Sequence, residues 1–261
     1  MKRILITGGP TNEYIDEVMK ITNMSSGKVA IELAEHFING GYEVTLLLTK
    51  NVKNNILDSL VLCNNFHLIR FETTDELLKA IENESKNNTY DAIIHSSAVA
   101  DYKPEYSFRM EDMANEIADF ILDNARNLNE DFTSKEIYDS IFEILTNPKC
   151  KVNDDTKISS VEPNLTVKLG LTPKIISHLR ELFPDAFICG FKLLENVSEN
   201  ELIDAATKQI QKCKTNLCFA NDLAELRKGN AARLVVTANG YNNIQVDGAE
   251  GIFNLINIVL D

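Results

Sequence analysis

The sequence predicts an α/β fold, with a mostly parallel sheet flanked by helices, a helical insertion and a C-terminal β-hairpin. Short apolar runs recur at residues 4–6, 43–48, 67–71, 90–96, 187–191 and 216–222, and helix-spaced stretches separate several of them. The first run is uniformly apolar instead of alternating, the pattern of a strand covered on both faces in a parallel sheet. At 261 residues the chain suits one large α/β domain, 1–261, with an insertion inside it.

The opening stretch organises the rest. Residues 4–6 form a strand that Gly8 and Gly9 stop, and only glycine lets a backbone turn sharply while a ligand approaches it closely. Ser25, Ser26 and Gly27 then open a helix whose Val29, Ile31, Leu33, Ala34 and Phe37 follow helical spacing. Free amides and the positive dipole end of that helix suit a phosphate, although serines there also serve as simple caps. The order strand, Gly-Gly, loop, Ser-Ser-Gly, helix favours a nucleotide site.

Gly40 and Gly41 end the helix, and 43–48 is the second strand. A dinucleotide fold places an acidic residue after this strand to hold the ribose. Thr49 and Lys50 stand there instead, and Gly-x-Gly-x-x-Gly does not follow the first strand, which argues against NAD. A third strand at 67–71 and a helix over 74–86, with Leu77, Leu78 and Ile81 inward, continue the alternation and imply right-handed crossovers.

The strand over 90–96 delivers Ser97, Ala98, Val99, Ala100 and Asp101 to its carboxyl end, where ligands bind in open α/β sheets. This loop is expected to face the one after Ile6, and His95 reads as a core histidine. Residues 105–153 are acidic, carry helical patterns at 113–125 and 134–145, and show no strand-like run. Thr133 and Glu136 have capping-box spacing. Further on, 187–191 is a buried strand ending in Phe191, an aromatic able to stack on a base. A helix over 199–214 carries Lys208 and Lys212 one turn apart, a pair suited to a triphosphate. After the strand at 216–222, residues 233–238 and 243–246 flank Asn239-Gly240 as a hairpin, and a last helix covers 250–260.

Composition narrows the partners. A net charge of −13 argues against nucleic acid or an anionic membrane. No apolar run is long enough for a signal peptide or a bilayer span. The five cysteines are scattered without a Cys-x-x-Cys pair, which indicates neither a disulfide framework nor a zinc site and fits a cytoplasmic location.

Thr7 to Asp16 and Ile21 to Lys28 resemble the opening of phosphopantothenate–cysteine ligase, a coenzyme A pathway family. Later segments match in order: Ser97 to Asp101, with Ser97 for an alanine; Lys157; Pro173, Lys174, Ile175 and Ile176, with Lys174 for an aspartate; Phe191; and the strand ending Ala220-Asn221-Asp222. The resemblance implies a Rossmann-like fold and a two-step ligation in which 4′-phosphopantothenate is activated by CTP or ATP with Mg²⁺, giving an acyl-nucleotide and pyrophosphate, after which cysteine forms the amide. CTP is the favoured nucleotide. Asn23 and Lys157 would act in catalysis: Asn23 would bind the intermediate with Val99 and Ala100, and Lys157 would neutralise the reacting phosphate. Gly8, Gly9, Ser25, Ser26, Gly27, Ser97, Asp101, Pro173, Lys174, Ile175, Ile176, Phe191, Lys208 and Lys212 would hold the nucleotide. The resemblance is to the stand-alone form, a homodimer is expected, and the 233–246 hairpin is a candidate contact. Met19 stands where the family has arginine, followed by Lys20, and lysine cannot reproduce a bidentate guanidinium. The acidic insertion is longer than usual for the family.

Two other classes stay open. A short-chain oxidoreductase shares the layout, but no Tyr-x-x-x-Lys pair occurs. A non-catalytic nucleotide sensor would keep the glycine and serine loops without needing Asn23 or Lys157.

Overall fold

A computed structural model describes residues 1–127, 133–152, 157–159, 161 and 163–261. The chain divides into two compact units: Met1–Asn12, Thr22–Asp101 and Thr172–Asp261 form one, Glu13–Ile21 and Tyr102–Leu171 the other.

In chain order, strand β1 (Arg3–Gly8) leads into two short paired strands, β2 (Asn12–Tyr14) and β3 (Lys20–Thr22). Helix α1 (Lys28–Asn39), β4 (Glu43–Thr49), α2 (Asn55–Leu60), β5 (Phe66–Phe71), α3 (Thr74–Asn87) and β6 (Ala92–His95) follow. Next come β7 (Tyr102–Arg109), α4 (Met110–Asn127), α5 (Ser134–Thr146), β8 (Lys151–Val152) and β9 (Leu165–Leu171). The chain then returns through α6 (Ile175–Leu182), β10 (Phe187–Leu194), α7 (Glu199–Cys213), β11 (Leu217–Asp222) and α8 (Leu223–Arg227) to β12 (Ala232–Thr237), β13 (Gly240–Asp247) and α9 (Gly248–Leu260).

The first unit is built on an eight-stranded sheet of order β13-β12-β11-β10-β6-β1-β4-β5. From β11 to β5 every pairing is parallel, and β12 and β13 add an antiparallel edge. Ile4 lies beside Val44 on one flank and Ala92 on the other. The chain therefore leaves β1 in opposite directions on its two sides, and such a switch point opens a crevice at the strands' carboxyl ends.

Both faces of the sheet are buried, which is why the apolar runs do not alternate. Ile4, Ile6, Leu46 and Leu48 pack under α1 and α9, while Leu5, Leu47, Ile93 and Ile188 pack with α3 and α6. Each such side chain contributes roughly 1.5–3 kcal/mol by leaving water. Phe253 of α9 meets Phe37 of α1 edge to face, with ring centroids 5.0 Å apart.

The second unit corrects one expectation. The acidic stretch was expected to lack strands, yet β7 runs through it and pairs antiparallel with β8 and β9. Tyr106 and Phe108, two residues apart on one face, are buried with Met113 as its core, and Ile117, Ile144 and Cys150 pack around them. Both expected helices form, and α5 starts with the Thr133–Glu136 capping box. Asp16 staples this unit: its Oδ1 accepts from the Val18 and Met19 amides at 2.7 and 2.6 Å, and its Oδ2 from the Ile158 amide at 2.9 Å. Those amides, Met19 foremost, hold its carboxyl below the usual carboxylate range. Among the described residues no helix is long and apolar enough to cross a membrane.

Candidate nucleotide site at the sheet's carboxyl edge

Two loops build the floor of the crevice. The strand pairing of β1 with β6 continues past both strands: the Ala98 amide donates to Gly9 O at 2.9 Å, the Thr11 amide to Ala98 O at 3.4 Å, and the Ala100 amide to Thr11 Oγ1 at 2.9 Å. The expected facing of these loops is thus met by direct hydrogen bonds. Gly8 and Gly9 lie beneath the crevice and make its shape possible. A Cβ on Gly8 would stand 2.2 Å from Ala30 Cβ, so its absence lets α1 close onto β1. Gly9 has a φ of +81°, in the region that disfavours side chains.

Ser25, Ser26 and Gly27 line one wall, and the N-cap position of the helix falls to Gly27, not to a serine. Gly27 occupies the N-cap in a left-handed conformation and has no side chain to cap with, while the Ser25 and Ser26 hydroxyls accept only long bonds, 3.4 Å each, from the Gly27 and Lys28 amides. Val29 and Ala30 of that turn also line the wall, so the amide-rich helix end belongs to the cavity.

The cavity measures about 490 Å³, within the ordinary range for small-ligand sites. Ser97, Val99 and Asp101 line it from the loop after β6, and Lys174, Ile175 and Ile176 from the start of α6. Phe191 closes it from β10 while packing at 5.2 Å on Phe219 of the core. The Lys174 ammonium is ion-paired with the Asp101 carboxylate. Both side chains are exposed, so the pair is worth at most about 1 kcal/mol and opens readily for a ligand. The Ser97 hydroxyl is buried without a partner among the described residues.

Several expected residues lie elsewhere. Asn23 is exposed and ties the loops together: its Nδ2 donates to Ala98 O at 3.2 Å and Val99 O at 3.0 Å. Ala100 is buried behind the wall, and Pro173 does not line the cavity. Lys208 and Lys212 do not line it either. The buried stripe of α7 is Leu202, Ala206, Ile210 and Cys213. Each lysine sits two residues beyond a member of that stripe, about 200° round the helix, and is exposed. Gln209 is the α7 residue that reaches the cavity. The stripe was legible in the sequence and already placed the lysines outside. Lys157 belongs to the second unit, where its side chain is exposed and the next amide, Ile158, is held by Asp16.

His95 also lines the cavity, at the end of β6. Its Nδ1 lies 2.8 Å from Thr7 Oγ1, and complete burial pushes its pKa down to about 4. The ring is neutral at pH 7. Since the folded value lies below the ordinary histidine value near 6.5, this burial destabilises the fold as pH falls from about 6.5 towards 4. In His95→Gln the melting temperature should therefore fall less over that interval than in the unsubstituted protein. Parallel melting curves for the two would exclude His95 as the group responsible.

Among the described residues no cluster of three or more His, Cys, Asp or Glu could hold a metal.

Residues 1–127 match the model of the DNA/pantothenate metabolism flavoprotein C-terminal domain. The chain is 35% identical over 222 residues to the coenzyme A biosynthesis bifunctional protein CoaBC of Thermococcus kodakarensis, an alignment covering 85% of this chain and 41% of that protein. It thus spans less than half the length of that relative. A crystal structure of a DNA/pantothenate metabolism flavoprotein from Streptococcus pneumoniae superposes with a TM-score of 0.72 and 27% identity, covering 100% of this chain and 98% of the other. A Cab2 variant solved in complex with phosphopantothenate-cysteine shares the fold, with a TM-score of 0.64, 19% identity, and coverage of 99% of this chain and 85% of that one.

Proposed function

We propose that the chain, whose residues 1–127 match the DNA/pantothenate metabolism flavoprotein C-terminal domain, is a ligase of coenzyme A biosynthesis, joining 4′-phosphopantothenate and cysteine. The observation that carries the reading is the cavity at the β1/β6 switch point, bounded by the first turn of α1, the Ser97–Asp101 loop and Phe191. Its walls offer backbone amides for phosphate, an aromatic face for a base, and a carboxylate for ribose or base donors.

Such a site suits activation of a carboxylate by a nucleoside triphosphate, CTP in preference to ATP. The carboxylate oxygen attacks the α-phosphorus, pyrophosphate departs, and an acyl-nucleotide forms. The cysteine amine then attacks the acyl carbon, the nucleotide leaves, and the amide remains. Preorganised donors assist both steps because charge builds first on phosphate oxygens and then on a tetrahedral oxyanion. Asn23 donates to the Ala98 and Val99 carbonyls and, in this reading, would meet the acyl group. Mg²⁺ would accompany the triphosphate as its counter-ion, as is usual for that cation. A homodimer is part of the proposal, with the outer strand β13 as its candidate contact.

The test is incubation with phosphopantothenate, cysteine, Mg²⁺ and CTP or ATP in turn, with mass analysis of products. Phosphopantothenoylcysteine and pyrophosphate in equal amounts are expected. Nucleotide binding without product would leave a sensor, and NAD(P)H turnover would indicate an oxidoreductase. The role of Lys157 rests on motif order in the sequence. Lys157→Ala should lower turnover at least about tenfold, or ~1.4 kcal/mol of transition-state stabilisation, without lowering the melting temperature. Unimpaired turnover would remove it from the mechanism.

A further inference from the structure

Arg233 on β12 was not expected in the site, yet it lines the cavity. It is only 8% exposed. Its Nη1 donates to Ala231 O at 3.2 Å, and no carboxylate lies within ion-pair reach among the described residues. Asp247 and Glu32 act on it only through space, and burial lowers its pKa.

Other arginines of this chain are satisfied differently. Arg3 pairs with Glu43 at 3.1 Å. Arg180 donates to the carbonyls of Lys214, Phe183, Pro184 and Ala186 and to Asn216 Oδ1. Arg233 has five donors, one accepting partner and little water. A guanidinium removed from water without a counter-charge is unfavourable, and a ligand anion would offset that cost.

The neighbouring cations indicate which anion. Lys174 is matched by Asp101 and Lys28 by Glu32, at 3.5 Å for the latter pair. Lys192 lines the same cavity and, like Arg233, has no carboxylate partner among the described residues. Two unmatched cations suit an anion carrying more than one charge. A guanidinium also presents its donors as a fork that fits two phosphate oxygens.

We propose that Arg233 is the polyphosphate-binding side chain of this cavity, gripping the phosphate chain of a bound nucleotide where sequence reasoning looked to Lys208 and Lys212. The identity of the ligand as a nucleotide rests on the functional reading above; the assignment of Arg233 to an anion does not.

The test titrates the unsubstituted protein, Arg233→Met and Arg233→Lys with CTP, ATP, cytidine and inorganic pyrophosphate, and records melting temperatures without ligand. Arg233→Met should melt no lower than the unsubstituted protein, because it removes an unpaired buried charge. It should bind the triphosphates and pyrophosphate about ten- to a hundredfold more weakly and cytidine unchanged. Arg233→Lys should fall between, keeping the charge without the fork. Equal triphosphate affinity in Arg233→Met overturns the assignment while leaving the nucleotide reading intact. Arg233-dependent binding of pyrophosphate with no added affinity for CTP or ATP supports the anion role and sinks the nucleotide reading. No anion binding by the unsubstituted protein overturns both. Should Arg233→Met fail to fold, Arg233→Gln, which can keep the bond to Ala231 O, is judged by the same binding criteria.

Discussion

Gly8→Ala is expected to destabilise the protein by about 3 kcal/mol or more, lowering the melting temperature by roughly 6–12 °C. The added methyl would lie 2.2 Å from Ala30 Cβ and 3.3 Å from Leu48 Cδ1. Ala30 has no flexible end to swing aside, so relief requires the backbone of α1 to move off β1. That movement would displace the first turn of α1, which lines the cavity, so nucleotide affinity should fall with stability. Gly8→Ala combined with Ala30→Gly removes the clash and leaves only a helix-interior glycine, at about 1 kcal/mol. The pair should therefore recover most of the loss. A double variant as unstable as the sum of its single changes would show that the contact is not the cause.

Asn23→Asp is expected to lower turnover at least about a hundredfold, or ~2.7 kcal/mol, with the melting temperature nearly unchanged. The residue is exposed, so little of the core depends on it. Its amide nitrogen faces two carbonyl oxygens, Ala98 O at 3.2 Å and Val99 O at 3.0 Å. A carboxylate there sets oxygen against oxygen and pushes the loop away from the β1–α1 segment. Asn23→Ala loses the two exposed ties, which add little to stability, without that repulsion, and should retain more activity. If tying the loop is its whole contribution, alanine stays well above aspartate. Equal, severe loss with accumulating acyl-nucleotide would place the amide on the reacting acyl group. Unimpaired turnover in both variants would remove Asn23 from the site.

The strands of the main sheet were legible because burial on both faces leaves an apolar run that helix periodicity does not mimic. The loops after β1 and β6 were legible too, since parallel topology fixes where strand ends gather. Elements resting on few residues were not. Helix α2 depends on one Asn54 side chain capping Ile56, and α8 on Asp222 capping Ala224. Strand β7 was hidden inside an acidic stretch, although Tyr106 and Phe108 carried a two-residue repeat. In the site, the one-turn spacing of Lys208 and Lys212 puts them on a shared face but does not say which face α7 buries. Arg233 was passed over because a charge in a hairpin strand reads as an outward residue. Its burial depends on the face of β12 it stands on, the one where Val235, two residues on, packs into the core with α1 and α9. Asp16 was quoted as part of a motif, but its bond to the Ile158 amide spans a separation that local patterning does not register.

The way the second unit is spliced into the first bears on how the chain folds. The Thr172 amide donates to Asp101 O at 3.1 Å, so the first unit brings these two ends together on its own account. Strands β7 and β9 do the same from the other side, with Tyr102 paired to Leu171. Whichever unit forms first has already closed the loop that the other must close. With roughly seventy residues between the splice points reduced to an effective turn of about two, the saving in closure entropy is ~3 kcal/mol. The sheet must join β6 to β10 across that stretch, and this makes the inserted unit a folding accelerator for its host. Its premature unfolding would be felt as a slower assembly of the parallel sheet before any loss of native contacts there.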